Sequence, residues 1–267
     1  MVTRTISILG CGYLGLPVAE TLVAGGWRVR GSTTRKSELA RLVAAGVEPY
    51  LLRLTPQVKG PALHDFFCSE YMLLNFPPGR RRPNVEAFLQ ASIQAIIARL
   101  SGVRFVVFAS STSVYGAGNA LEAAVPAPLT ASGRALLKAE SQLQACRDFS
   151  TTVLRFGGLY GYSRQPGRFV GAVRNGAARV NLVHRDDAVA VTVRVLEDHI
   201  MNEVFNVVAD MHPKKDAFYR QSAAWLGKPP PRIEYDAALP GKVVSSAKLT
   251  RSLGYRFIWP DPMVRAP

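Results

Sequence analysis

The chain has 267 residues, with 33 Lys and Arg against 19 Asp and Glu, a formal net charge of +14. With 48% apolar and 19% charged residues it can bury a sizeable core, which excludes a disordered chain, and no apolar run reaches the ~18 residues of a membrane span. Three cysteines, Cys11, Cys68 and Cys146, odd in number and widely spaced, exclude a disulfide framework and a CxxC metal site; we expect reduced thiols, no metal and a cytoplasmic protein.

In chain order, Ile6–Gly10 reads as a short apolar strand, followed by a Gly-rich turn and a helix that stops at Gly25-Gly26. Arg4 and the apolar stretch after it imitate a secretory leader, but Gly10, Gly12, Gly15, Pro17 and Glu20 interrupt it. Trp27–Thr33 is a second strand, Lys36–Ala45 a helix closed by Gly46, Tyr50–Leu54 a third strand, and Tyr71–Phe76 a fourth, closed by Pro77-Pro78. From Asn84 to Leu100 the apolar residues Val85, Phe88, Leu89, Ile93, Ile96, Ile97 and Leu100 fall on one helical face. Val103–Ser110 is almost continuously apolar, the mark of a strand buried on both faces. Ser132–Cys146 is helical, Thr152–Phe156 a strand, Asp186–Asp198 a helix and Val204–Val208 a strand. This alternation predicts an α/β fold, a doubly wound parallel sheet of Rossmann type. After about Asp210 the pattern changes to a helix near Asp216–Leu226, the run Pro229-Pro230-Pro231, a strand Ile233–Tyr235 and a helix Ser246–Leu253. We expect residues 1–158 with about 180–209 to form a dinucleotide-binding domain, and 159–179 with 210–267 a small substrate lobe.

Gly10-Cys11-Gly12-Tyr13-Leu14-Gly15 is a GxGxxG sequence leaving a strand and opening a helix. The first Gly permits a tight turn, the second lets a pyrophosphate approach the backbone, and the third lets the helix pack on the strand; the helix N-terminus adds N–H groups and partial positive charge. An acidic residue about 20 positions on would bond the ribose 2′-hydroxyl of NAD. Here the second strand ends Ser32-Thr33-Thr34-Arg35-Lys36, with no carboxylate before Glu38. Hydroxyls and Arg35 suit a 2′-phosphate, so NADP(H) is expected over NAD. The alternative is a basic helix start, which the helix dipole disfavours.

Four further stretches stand in order: Phe108-Ala109-Ser110-Ser111-Thr112-Ser113-Val114-Tyr115-Gly116, Leu154-Arg155-Phe156-Gly157-Gly158-Leu159-Tyr160-Gly161, Val183-His184-Arg185-Asp186-Asp187, and Lys248-Leu249 with Leu253-Gly254-Tyr255. With the Gly loop they make nearly the whole chain resemble the extended short-chain dehydrogenase/reductase family, the group of NAD(P)-dependent epimerases and dehydratases, in its atypical branch. The resemblance implies a catalytic Ser at Ser111 and a Lys at Lys138, where the Lys lowers the pKa of a Tyr four residues before it. That Tyr position is Arg134, which cannot surrender its proton as a base. Thr112-Ser113 stand where dehydratases carry Asp-Glu, which argues against dehydration. The strand ends Asn75-Phe76-Pro77 and Phe156-Gly157, together with Lys138, complete the expected cofactor contacts.

Arg134 and Lys138 are a like-charge i,i+4 pair, either a solvated face or a cationic wall beside the nicotinamide. Tyr115, Tyr160, Tyr162 and His184 are candidates to replace the missing Tyr or to contact substrate; the bland alternative for each is a structural role. Arg80-Arg81-Arg82, Arg164 and Arg168 are either solvated charges or an oxyanion site, with Arg80 and Arg168 as substrate candidates. The expected function is an NADP(H)-dependent oxidoreductase or epimerase-like enzyme acting on an anionic metabolite, nucleotide-linked in one version. The other reading is a non-catalytic NADP(H) sensor. Scattered basic charge argues against nucleic acid as a partner. The resemblance implies a homodimer through Asn84–Leu100 and Ser132–Cys146.

Overall fold

The computed structural model describes residues 4–79, 82–169, 171–236 and 241–265. In chain order come β1 (Thr5–Leu9), α1 (Gly15–Ala24), β2 (Arg28–Thr33), a 3-10 turn at Lys36–Glu38, α2 (Leu39–Ala44), β3 (Glu48–Leu51), β4 (Arg53–Leu54), β5 (Val58–Lys59), α3 (Leu63–Phe67), β6 (Tyr71–Leu74) and α4 (Val85–Ile97). Then follow β7 (Phe105–Ser111), β8 (Gly118–Ala120), α5 (Ala131–Ala145), β9 (Ser150–Phe156), β10 (Gly158–Tyr160), β11 (Leu182–His184), α6 (Arg185–Glu197), β12 (Val204–Val207), α7 (Lys215–Ala224), β13 (Lys242–Val244) and α8 (Ala247–Leu253).

Seven strands form one parallel sheet in the order β12-β9-β7-β6-β1-β2-β3. The doubly wound α/β fold expected from the alternation is therefore present. Chain order runs outward from β1 in both directions, through β2 and β3 on one side and β6, β7, β9 and β12 on the other. The reversal between β1 and β6 is the switch point where open α/β sheets bind ligands beyond the strand carboxyl ends. β6 is buried at all four positions and β7 at its first four, because helices cover both faces. α4 buries Val85, Phe88, Leu89, Ile93 and Ile96 along one stripe. α5 begins at Thr130, whose Oγ1 accepts the Gly133 N–H at 3.1 Å, an N-cap for one orphan donor.

The apolar run 50–54 is not one strand. β3 ends at Leu51, and the chain turns at Thr55, whose N–H donates to the Gln57 carbonyl at 2.8 Å. β4 and β5 then pair antiparallel. The strand expected over Ile233–Tyr235 reduces to a single bridge between Val173 and Ile233.

The chain sorts into two compact units. The first comprises Met1–Val114, Pro128–Leu154 and Val189–Val204; the second comprises Tyr115–Ala127, Arg155–Ala188 and Phe205–Pro267. The second unit thus takes in Tyr115–Ala127, which the sequence grouping left with the cofactor domain; β8 in that segment pairs in parallel with β13.

Leu73 lies at the centre of β6 with no exposed surface. Leu73→Ala is expected to cost about 2–5 kcal/mol, read as a lower urea midpoint at unchanged slope.

Candidate functional site: a Gly-rich loop on the first strand

The turn between β1 and α1 is built by two close approaches. Gly10 has φ +109°, and a Cβ there would lie 2.1 Å from the Asn75 carbonyl oxygen. A Cβ on Gly15 would lie 2.2 Å from the Gly10 carbonyl oxygen. Only Gly fits at either place. Side chains then strap the turn: the Gly10 N–H donates to Ser32 Oγ at 2.9 Å, and Asn75 Nδ2 donates to the Gly10 carbonyl at 2.9 Å. The Cys11 N–H donates to the Ser32 carbonyl at 2.8 Å, and the Asn75 N–H to the Leu9 carbonyl at 3.0 Å.

Gly12 differs. A Cβ on it would meet nothing within 4 Å, so nothing in the chain itself demands a Gly there. The open space lies beside the start of α1, which has no side-chain cap and no acidic residue in its first turn. The positive end of the helix dipole and the absence of side-chain bulk over Gly12 fit a phosphate group.

The remaining cofactor candidates divide. Ser32 is buried and committed to Gly10, so it supports the loop rather than offering its hydroxyl outward. Asn75 does the same from β6, while Phe76 is half-buried and Pro77 exposed. Thr33 Oγ1 accepts the Arg35 N–H at 3.2 Å. Thr34 and Arg35 are exposed, and the Arg35 guanidinium stands 3.4 Å from Glu38 Oε1. The Cys11 thiol is buried, and burial pushes its pKa up to about 12, so it is a packing group and not a nucleophile.

Ser111 ends β7 half-buried, its Oγ accepting the Ser113 N–H at 3.2 Å. Lys138 is held elsewhere. Its Nζ donates to Glu86 Oε2 at 3.1 Å, and Arg134 Nε donates to Glu86 Oε1 at 2.8 Å. One carboxylate on α4 thereby relieves the like-charge pair on α5. The inward stripe of α5 carries Gly133, Leu136, Ala139, Glu140 and Leu143 instead, with Glu140 accepting from Ser110 Oγ. Arg134 and Lys138 thus sit at exposed positions of α5, both paired with Glu86 of α4.

In the second unit, three substrate candidates, Tyr115, Tyr160 and His184, prove to be interior groups. Tyr115 is 3% exposed; its hydroxyl donates to Asn206 Oδ1 at 2.9 Å and accepts from Arg155 at 2.6 Å. Asn206 Nδ2 in turn donates to the Ser245 carbonyl at 3.0 Å, and its N–H to Glu122 Oε1 at 2.9 Å. Desolvation by burial holds the Tyr115 phenol above its ordinary range, opposed by the Arg155 charge. His184 is 0% exposed. Burial lowers its pKa against the raising charges of Asp186 and Asp187, so the neutral imidazole is favoured.

Tyr160 is likewise buried, as is Phe156, while Gly157 donates to the Val207 carbonyl at 3.0 Å within the sheet. Arg164 and Arg168 are exposed, Arg168 ending the 3-10 turn Pro166–Arg168. Arg80 and Arg81 lie outside the described residues. Asp187 had no assigned role; its carboxylate accepts the Tyr255 hydroxyl at 2.7 Å and the N–H groups of Ile258 and Trp259 at 2.6 and 3.0 Å. Among the described residues no cluster of His, Cys, Asp and Glu could hold a metal ion, and no helix is long and apolar enough to cross a membrane.

Comparison with known proteins agrees with this architecture. A short-chain dehydrogenase/reductase superfamily protein of Agrobacterium tumefaciens, solved with bound NAD, superposes with TM-score 0.78 at 20% identity, over 97% of this chain and 94% of that one. UDP-glucuronic acid 4-epimerase of Bacillus cereus, solved with UDP-glucuronic acid and NAD, gives 0.77 at 15% identity, over 97% and 96%. The chain therefore shares the fold of these two structures. No family model matches the chain. At 33% identity over 270 residues, covering 98% of both sequences, the chain belongs to the family of Protein YeeZ of Escherichia coli K12.

Two variants separate the roles of the loop glycines. Gly10→Ala is expected to lower Tm sharply, because its methyl enters the Asn75 carbonyl at a positive φ. Gly12→Val is expected to leave Tm in place and abolish binding of a dinucleotide, measured by calorimetric titration. For the α4–α5 seam, Glu86 hydrogen bonds from Lys138 and Arg134 hold its carboxyl below the usual range. A depressed carboxyl stabilises above its unfolded pKa and loses that contribution as pH falls. Glu86→Gln is therefore expected to lower Tm relative to the parent near about pH 7, and the difference is expected to vanish in acid.

Proposed function

We propose that the chain binds a nicotinamide dinucleotide, NADP(H) in preference to NAD(H), at the Gly10–Gly15 loop, and acts as an oxidoreductase or epimerase-like enzyme on an anionic, nucleotide-linked metabolite. The observation that carries this reading is the vacant approach over Gly12 beside the uncapped start of α1. Thr33, Thr34 and Arg35 follow β2 with no carboxylate before Glu38, which supports the 2′-phosphate. The Agrobacterium protein holds NAD, and the Bacillus cereus epimerase holds NAD with an acidic nucleotide sugar; these support the cofactor class and the substrate class. In this reading the loop and α1 hold the diphosphate, Arg35 the 2′-phosphate, and Ser111 a substrate hydroxyl. The bound dinucleotide supplies hydride acceptance and donation.

The second reading is an NADP(H)-binding sensor without turnover, the active-site Tyr having been lost. The pairing of both Arg134 and Lys138 with Glu86 favours it, because no Tyr–Lys pair then stands on α5.

Calorimetric titration is expected to give tighter binding for NADPH than for NADH, with Arg35→Glu reversing the order; equal affinities in the parent would overturn the NADP(H) assignment. NADPH oxidation across a panel of nucleotide-sugar ketones decides between the readings. Turnover supports the enzyme, and tight binding without turnover supports the sensor.

A further inference from the structure

His184 joins three structural elements of the second unit. It closes β11, opposite Tyr160 of β10 in parallel register, and immediately precedes α6. Its Nδ1 accepts the Asp186 N–H at 3.3 Å, so the ring itself caps the first turn of α6 and the neutral imidazole carries its proton on Nε2. That Nε2 is buried without a hydrogen-bond partner. A Cβ on Gly161, which has φ +105°, would stand 2.1 Å from it. The rings of Tyr160, Tyr162 and Trp259 surround the imidazole at 5.1, 5.7 and 5.0 Å between centroids.

The wall formed by Trp259 belongs to a segment tied to the same helix start. Asp187 accepts the Tyr255 hydroxyl and the Ile258 and Trp259 N–H groups. Asp186 Oδ2 accepts the Trp259 indole N–H at 3.4 Å and the Tyr162 hydroxyl at 3.3 Å, and lies 3.4 Å from His184 Nδ1. We propose that His184 governs a latch holding residues 255–259 against the start of α6, closed while the imidazole is neutral and released when it is protonated.

Protonation acts on geometry already present. With a proton on Nδ1 the ring can no longer accept the Asp186 N–H; it becomes a donor toward Asp186 Oδ2, the oxygen that holds the Trp259 indole and the Tyr162 hydroxyl. The second ring proton stays buried without a hydrogen-bond acceptor, an expensive place for a charge. Charged and titratable groups face the ring from each surrounding element: Arg185, Asp186 and Asp187 from α6, Tyr160 and Tyr162 from β10 and its turn, and Tyr255 from the C-terminal segment. The Arg185 guanidinium lies 3.6 Å over the Tyr162 ring. Asp210, whose carboxyl is pushed up by burial and by the Asp187 charge, is a further carboxyl whose titration the test must separate from that of His184. Burial lowers the His184 pKa. A base depressed in this way loses stabilisation as pH falls below its unfolded pKa, until the folded form also protonates.

Hydrogen exchange on the full chain, corrected for the intrinsic pH dependence of exchange, tests the latch. Between about pH 7.5 and 5.5, amides of 255–259 are expected to lose about ten-fold or more in protection while β6 and β7 keep theirs. His184→Asn, whose side-chain oxygen can accept the Asp186 N–H without titrating, is expected to show no such loss. In the parent, NMR titration of the His184 ring is expected to give the Nε2–H tautomer at neutral pH and a midpoint matching the exchange transition; this arm stands even if the variant fails to fold. Unchanged protection, loss shared equally by β6 and β7, a matching loss in His184→Asn, or a midpoint that tracks Asp210 instead of His184 would each overturn the proposal.

Discussion

The carbonyl of Asn75 and the α-carbon of Gly10 approach so closely that no side chain can stand between them. That approach depends on the order of the sheet, which reverses between β1 and β6 and brings the exits of both strands together. From it follow the tight exit of β1, the strapping of the turn by Ser32 and Asn75, and the entry of α1 over the Gly10 carbonyl. The space over Gly12 is left free of side chains, while Ser32 and Asn75 hold the turn beside it. Holding the turn and leaving the approach over Gly12 open are separate tasks here, assigned to different residues.

The same division holds away from the loop. On α5 the charged residues turn to Glu86 and the inward face is apolar apart from Glu140. In the second unit, Arg155 donates to Tyr115 and Tyr115 to Asn206, a buried polar run that continues to Glu122 and the Ser245 carbonyl. Such a run favours a single arrangement, since each member left unpaired would cost its full desolvation.

Much of this was legible in the sequence where the signal is local. The apolar runs at β6 and β7, the stripe of α4 and the GxGxxG turn each follow from residues within a dozen positions. The three-residue strands β8, β10 and β13 were missed because they are too short to show a period. The role of Tyr115 was hidden for another reason: its partner Asn206 is 91 residues away. Asp187 had no visible role because the amides it collects belong to the distant segment 255–259. On α5, resemblance pointed to Arg134 and Lys138, whereas the apolar period through Ala135, Leu136, Ala139 and Leu143 already marked the inward face. That period fixes which face α5 buries; it does not by itself assign roles to the exposed positions.

The Glu86 seam has a stoichiometry that recurs. Glu38 lies 3.4 Å from Arg35 and 3.8 Å from Arg41. Glu48 lies 3.0 Å from Arg28 and 3.6 Å from Arg30. In each case one carboxylate bridges two cations, so each triad is internally attractive yet keeps one unit of positive charge. Part of the chain's basic excess is thus held at fixed positions in the fold, distributed among ion clusters and not gathered in a tail. Its field is a property of the folded surface, and it disperses only when the surface does.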